Sequence, residues 1–396
     1  MIVSEARLRE VAAAFRAMTG LQLAEFDALA QDRVPSIAAA VTAEQDRRRG
    51  RQRRRAAGGG HPFTLSFREQ LLLVVVWLRV YPTSPVLGFL FGISHPTVLR
   101  TIERVLPILE QAGRDTMRLP GHGERGRRSR RDLPDLLAAI PELAVIVDTC
   151  EQRVQRPRDR AAADRPYSGQ KQQHTLKRQV AIDAASGKVV DGPDSVCGPT
   201  SDLTVLKASG LLDRVAPDVG VLGDLASGGM APLHPAGRGF TPRRKPRERP
   251  RPPDDSVYNT AFAAARSGVE HTIGRLRRYQ ALTQQDRQHR RGQAARVRAV
   301  AGLVNRQLDA RVGALTCPRS FRRGGGSLPT SPIAHINYWP RHPDGDGEQP
   351  RQGPTLTCPS SPTPPVRHQA KTGRPSSLVS PGRAASTARS PSPGAS

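Results

Sequence analysis

No apolar stretch in this chain is long enough to cross a bilayer. The longest, residues 71–78, is closed by Arg79, whereas a spanning helix needs about 20 such residues. The basic-then-apolar opening of a secretory signal is also missing, so the chain is expected in the cytoplasm. Cys150, Cys197, Cys317 and Cys358 stand far apart with no paired metal-ligand spacing, which argues against a zinc site or a disulfide framework and leaves reduced thiols. Negative charge is scarce: 35 Asp and Glu face 61 Lys and Arg, a formal net charge of +26. That excess exceeds what solubility needs and implies a polyanionic partner, nucleic acid first. A basic membrane-surface protein would need an amphipathic basic helix with bulky apolar anchors, and none is evident. With 37% hydrophobic residues in 396, there is room for two or three domains but a core for only part of the chain.

The N-terminal third reads as helical. Leu8, Val11, Phe15 and Met18 recur at helical spacing, Gly20 is a stop, and Leu23, Phe26 and Leu29 mark a second short helix. From residue 47 to 60 arginines run into glycines, the composition of a flexible basic connector that can touch phosphates. Ser66 and Glu69 form a capping-box signature before the apolar run at 71–78, which predicts a buried helix ending near Tyr81 and Pro82. A short helix over 85–91, Gly92 in a left-handed turn, Ser94 as N-cap and a helix over 97–109 with Val98, Ile102, Val105 and Leu109 inward together spell a helix-turn-helix. His95, Thr97, Arg100, Thr101 and Arg104 are then expected to face out, as types that reach base edges and phosphates in a major groove. A plain three-helix packing unit has the same periodicity.

After a second basic linker, including Arg125 and Arg131, the pattern becomes α/β. Residues 143–148 form an apolar run ending in Asp148, too short for a helix and expected as a buried strand with its carboxylate at the end; a turn-capping aspartate is the bland alternative. Strands are expected over 176–183 and 188–196, a helix opening at Ser201 and Asp202, and a short strand over 219–224 that again ends in an acid, Asp224. A basic, proline-rich loop over 232–253 leads to a long helix, about 256–279, burying Phe262, Ala265, Val269, Ile273 and Leu276 and exposing Arg266, Glu270 and Arg277. A last helix lies near 294–308. Beyond residue 315 the Pro, Ser, Gly and Arg composition cannot offset its ordering entropy and should be a disordered tail. Asp148, Asp224 and Glu270 are the kind of set that holds hard divalent cations for in-line phosphoryl transfer, although spacing alone does not make them converge.

Several short motifs occur in a recognisable order. They are Leu71-Leu-Leu and Phe91-Gly-Ile-Ser in the helical part, then Val147-Asp-Thr, Tyr167-Ser-Gly, His174-Thr-Leu-Lys, Gly198-Pro-Thr-Ser-Asp-Leu, Leu222-Gly-Asp and Tyr258-Asn, leading to Arg266-Ser-Gly-Val-Glu-His. Through them the chain, from about Leu8 to Asn305, resembles bacterial insertion-sequence transposases of the DDE superfamily, in the branch related to Harbinger elements. The resemblance implies an α/β ribonuclease-H-like catalytic domain (141–309) preceded by an all-α helix-turn-helix domain (61–115). Around these lie an N-terminal helical segment (1–46), basic linkers (47–60 and 116–140) and the tail (310–396). It implies Asp148, Asp224 and Glu270 as catalytic acids binding two Mg2+ or Mn2+ ions, with Asp202 the runner-up ligand. Arg266 and Arg277 flank the glutamate as contacts for DNA-end phosphates. Lys171 and Lys177 are further DNA candidates within a polar run that includes Tyr167 and His174, to which no role is assigned.

The partners so implied are double-stranded DNA, both the element's inverted repeats and the target, and other copies of the chain assembled on DNA at the nucleoid. Departures from the family pattern are Ser227 where an aromatic is usual, Ser201 in place of a histidine and Gln170 in place of a lysine. They keep two rivals open: a catalytically dead DNA-binding remnant, and a hydrolytic nuclease of the same fold that cuts without joining.

Overall fold

Eight consecutive apolar residues, Leu71 to Leu78 without interruption, leave a helix no polar face, so it must be enclosed on all sides. In the computed structural model α4 (Phe67–Val80) is so enclosed, with every residue of that run buried. Each such Leu or Val contributes roughly 1.5–3 kcal/mol. The expected capping box starts it: Glu69 N donates to Ser66 Oγ at 3.2 Å and Ser66 N to Glu69 Oε2 at 2.9 Å. The described residues are 2–50, 64–120, 144–156, 166–169, 171–192, 194–288 and 292–316. Of the linkers expected at 47–60 and 116–140, residues 51–60 and 121–140 lie outside them, as does the tail expected from 310 beyond residue 316; residues 310–316, expected in the tail, are instead the end of the last helix, Gln293–Thr316.

Three helices precede α4: α1 (Glu5–Glu10), α2 (Ala12–Thr19) and α3 (Leu23–Arg49). Gly20 ends α2 in the left-handed region at φ 78°, as its position predicts. α3 departs from the expected short helix: it runs 27 residues, through Pro35, and Arg47, Arg48 and Arg49 are its last turn rather than the start of a flexible connector. The alanine-rich sequence after Pro35 favours helix strongly enough to outweigh the loss at one proline. The longer helix carries Glu44 to the helix-turn-helix.

That motif is α5 (Ser84–Phe91), Gly92 at φ 64°, Ser94 as N-cap and α6 (His95–Thr116), with Val98, Ile102, Val105 and Leu109 buried as expected.

The second half is built on a mixed sheet of β1 (Ala144–Arg153), β2 (Tyr167–Ser168), β3 (Gln173–Asp183), β4 (Val189–Asp191), β5 (Val196–Cys197), β6 (Gly220–Leu222) and β7 (Gly239–Phe240), in the order β2-β3-β1-β6-β7 with β4 and β5 also paired to β3. β1 is antiparallel to β3 and parallel to β6, which is parallel to β7. The strand expected over 188–196 is two short strands, β4 and β5. On one face of the sheet lie α7 (Asp202–Ala208) and α8 (Leu211–Arg214), whose Leu206, Leu211 and Leu212 pack with Val145, Val147 and Ala181. On the other lies α9 (Pro253–Arg277), whose Phe262, Val269 and Ile273 share a core with Ile146, Cys150, Val180 and Ile182. No helix among the described residues is long and apolar enough to cross a membrane.

α10 (Gln293–Thr316) ties the halves together by packing along α6. Both helices place glycine at the crossing. A Cβ built on Gly302 would lie 2.4 Å from Gly113 Cα, and one on Gly113 would lie 2.0 Å from the Arg298 carbonyl oxygen. Because the obstacle is backbone, no side-chain rotation relieves it. Gly302→Ala should therefore cost about 1–3 kcal/mol, read as a lower urea midpoint. Gly274→Ala on α9, where nothing lies within 4 Å, should be neutral or gain up to about 1 kcal/mol from helix propensity. Equal effects at the two positions would sink the close-crossing account.

Candidate active site

β1 does not stop at Asp148. It continues to Arg153, paired with β3 throughout, so Asp148 sits in mid-strand opposite Val180. The sequence expectation of a strand end is corrected here: Thr149, Glu151 and Arg153 extend the alternation, and β3 supplies partners as far as Thr175. What does end is the parallel pairing on the other edge. β1 and β6 are in register only from Ala144↔Gly220 to Ile146↔Leu222. Asp148 and Asp224 each lie two residues beyond that last pair, at a separation set by neighbouring strands, which run about 4.8 Å apart where paired.

The pleat decides which acids share a side. Even-numbered β1 residues such as Ile146 and Cys150 face α9, and odd-numbered ones such as Val145 and Val147 face α7 and α8. Asp148 therefore faces α9, and its carboxylate Oδ2 lies 3.7 Å from Arg266 Nη2 of that helix. Leu222 shares the α9-side core, and the extended backbone of Asp224 (φ −80°, ψ −177°) follows it two residues on. The Asp148 side chain is 23% exposed. Burial pushes its carboxyl above the ordinary aspartate value; Thr149 N, donating to Oδ1 at 2.8 Å, and Arg266 oppose the rise, while the like charges of Asp224 and Asp202 add to it.

Asp224 caps the single 3-10 turn Leu225–Ser227, with Ser227 N and Ser227 Oγ donating to its Oδ1 at 3.0 and 2.9 Å. Ser227, one of the departures from the family pattern, thus fixes one oxygen of Asp224. Glu270 lies one helical turn after Arg266 on α9, exposed to solvent. Arg266, expected in an exposed stripe, is only 14% exposed because it turns inward to Asp148; Arg277 is exposed as expected.

Asp202 stands on the other face of the sheet. Its Oδ1 accepts from Thr149 Oγ1 at 3.0 Å and Lys177 Nζ at 2.9 Å. Lys177 also donates to the Thr200 carbonyl at 2.7 Å and lies 3.8 Å from Glu151, which accepts from Thr175 Oγ1 at 2.7 Å. Lys177, expected among the DNA contacts, is 12% exposed and neutralised inside this network. Among the described residues no three His, Cys, Asp or Glu side chains are grouped so that they could hold one metal ion. Asp148 and Asp224 nonetheless fit a hard cation: they are oxygen donors whose mutual repulsion a positive ion would relieve. Glu270 joins only if its solvent-facing side chain swings toward them.

Farther out, Lys171 is exposed beside Ser168, and the Tyr167 and His174 rings meet edge-on at 5.4 Å. On α6, His95 and Arg100 are exposed and Thr97 partly so. Two expectations fail there. Thr101 is 2% exposed and donates to the Thr97 carbonyl at 2.8 Å. Arg104 is 13% exposed, donating to Glu44 at 2.7 and 3.1 Å and to Gln70 Oε1 at 3.1 Å, and its hydrogen bonds hold the Glu44 carboxyl below the ordinary range. Both lie on the flank that α3 and α4 cover. Sequence reasoning missed Thr149 and Glu151; their alternation beyond Asp148 was the available signal.

Comparison with known proteins accords with this layout. Residues 63–115 match the family described as the helix-turn-helix of DDE superfamily endonuclease, and residues 147–305 match the family described as DDE superfamily endonuclease. A relative in Microchaete diplosiphon, described as a probable transposase for insertion sequence element IS702, is 26% identical over 246 residues, covering 62% of this chain and 82% of that protein. No solved structure matches. With that superfamily's DNA-binding motif and endonuclease domain present in order on one chain, the protein is a member of the DDE endonuclease superfamily.

Proposed function

We propose that this protein is a transposase that binds the terminal inverted repeats of its own element and cuts and rejoins DNA strands, with Asp148, Asp224 and Glu270 as the acids. The observation that carries the reading is the placement of Asp148 and Asp224 where β1 and β6 part, beneath the helix that bears Arg266 and Glu270. The sheet order, antiparallel at β3 and parallel at β6 and β7, supports a ribonuclease-H-like core. Two Mg2+ or Mn2+ ions are the cofactors, held by Asp148 and Asp224 with Glu270 completing the set. Bound there, the ions would supply Lewis-acid stabilisation of charge on a phosphodiester. Arg266 balances charge at Asp148, Ser227 orients Asp224, and Arg277 contacts DNA-end phosphates. Asp202, held by Thr149 and Lys177 on the far face, is a positioning residue for β1. Further copies of the chain assembled on DNA, in the cytoplasm at the nucleoid, complete the proposal.

A duplex carrying the sequence that flanks the reading frame, incubated with protein and Mg2+, tests it directly. Wild type should nick at the repeat end and yield strand-transfer product. Binding without cleavage would leave a DNA-binding remnant, and cleavage without joining a hydrolytic nuclease. Asp148→Asn should keep DNA affinity and lose cleavage.

The same substitution carries a stability signature. A carboxyl whose folded pKa is raised contributes stability that is present below the unfolded value and lost as pH rises through the folded one. At pH 7 without metal the charged Asp148 therefore burdens the fold, and Asp148→Asn should melt higher than wild type, with the gap closing below the ordinary aspartate value of 3.8. A lower melting temperature for Asp148→Asn at pH 7 would contradict this.

On α6 the two arginines should separate. Arg100→Ala should weaken binding and flatten its salt dependence by about 0.9 units of log–log slope, one phosphate. Arg104→Ala should instead destabilise the fold by about 1–2 kcal/mol, through loss of a charged hydrogen bond at a partly exposed site. Salt-titrated gel shifts beside chemical denaturation distinguish them; a pure binding defect in Arg104→Ala would overturn its structural role.

A further inference from the structure

Between β7 and α9 the chain carries Arg243, Arg244, Lys245, Arg247, Arg249 and Arg251 with a single acid, Glu248, among them. All of these side chains are exposed. Like charges this dense repel one another within a screening length of about 8 Å, so an unattached loop of this composition would be expected to stay loose. Here its root is fastened. Asn259 of α9 grips the Arg243 backbone from both sides, with Arg243 N donating to Asn259 Oδ1 at 2.8 Å and Asn259 Nδ2 donating to the Arg243 carbonyl at 3.0 Å. The Arg243 guanidinium lies 4.4 Å over the Tyr258 ring and pairs with Asp255 at 2.9 Å. Arg244 donates to the carbonyl of Leu225 at 3.3 Å, and Leu225 is the residue after Asp224. A Cβ on Gly228 would lie 3.3 Å from the same guanidinium, so glycine there leaves Arg244 its room.

Beyond the root, the loop is braced. Pro242, Pro246, Pro250 and Pro252 fix φ at four points, and Glu248 takes φ 62°, a left-handed conformation uncommon for a residue with a side chain. The loop turns at that residue. Lys245, Arg247, Arg249 and Arg251 have no hydrogen-bonding or ion-pair partner among the described residues, so none of those residues compensates their charge. A preorganised cation cluster rooted one residue from Asp224 has the chemistry of a phosphate clamp, because little ordering entropy remains to be lost on binding.

We propose that residues 243–251 form an arm that grips the DNA backbone beside the scissile bond, a sequence-independent contact separate from the helix-turn-helix. This rests on the transposase reading for the location of the scissile bond. The arm holds the duplex at the acids while α6 reads sequence farther along, so each element has its own stretch of phosphates.

Hydroxyl-radical footprinting of the full-length protein on a duplex containing the element's terminal repeat and its flank tests the division. Wild type should protect two blocks, one at the repeat end and one internal. Arg247→Ala, Arg249→Ala and Arg251→Ala combined, which leave the Arg243 and Arg244 root intact, should lose the end block, keep the internal block and lower the salt slope by up to about 2.7 units, 0.9 for each of three phosphates. The matching triple lysine variant should restore the end block and the slope. Arg100→Ala should do the reverse, thinning the internal block alone. An unchanged footprint and slope in the triple alanine variant would show the arm to be a solvated loop while leaving the transposase reading in place. Loss of both blocks with unchanged circular dichroism would refute a local role beside the acids. A wild-type protein that protects neither block would remove the transposase reading, and the arm proposal with it.

Discussion

Parallel pairing between β1 and β6 runs only as far as Ile146 and Leu222, and that limit decides where Asp148 and Asp224 stand. Inside the register, side chains on both faces are consumed by core. Past it, two strands that started side by side carry Asp148 and Asp224, with α9 packed over one face of the sheet. Burial of Asp148 there raises the cost of its charge, Arg266 partly offsets it, and Asp224 adds to it. The strain is electrostatic rather than steric, and a bound cation is its natural relief. On the opposite face the same strand offers Thr149 and Glu151 to a closed network with Lys177 and Asp202, in which the lysine already supplies the positive charge. On that face two acids share Lys177; on the other, Asp148 lies against Arg266 and Asp224 is held by Ser227.

The helical half is joined firmly to this arrangement. α6 meets α10 at a glycine-on-glycine crossing, and Arg298 of α10 reaches Glu110 of α6 at 2.9 Å and the Gly192 carbonyl beyond β4 at 2.9 Å. Arg104 binds α6 to α3 and α4 by way of Glu44 and Gln70. The helix that presents His95 and Arg100 is thus tied through α10 to the end of β4. The basic segment before α9 is rooted beside Asp224 through Arg244 and the Leu225 carbonyl.

Much of this was legible from residue pattern. Capping at Ser66 and Glu69, the left-handed glycines at 20 and 92 and the inward stripe of α6 follow from local rules that tertiary packing did not override. The misreadings arose where partners distant in sequence decide the outcome. Asp148 looked like a strand end because the apolar run stops there, yet β3 carries the ladder on. Thr101 and Arg104 were assigned to an open face because a single helix has no knowledge of α3, whose full length depends on Pro35 being tolerated. Lys177 looked like a free cation because its acids come from positions 151 and 202. The acid trio follows from two acids read at strand ends and a helix stripe together with family motifs; the pleat separates Asp202 from Asp148, a distinction that only register supplies.

The central claim is that Asp148 and Asp224, and not Asp202, hold the catalytic ions. Manganese binding followed by electron paramagnetic resonance in wild type, Asp224→Asn and Asp202→Asn tests it most directly, with circular dichroism to confirm folding. The account predicts that bound Mn2+ is lost in Asp224→Asn and retained in Asp202→Asn. Retention in Asp224→Asn with loss in Asp202→Asn would contradict it.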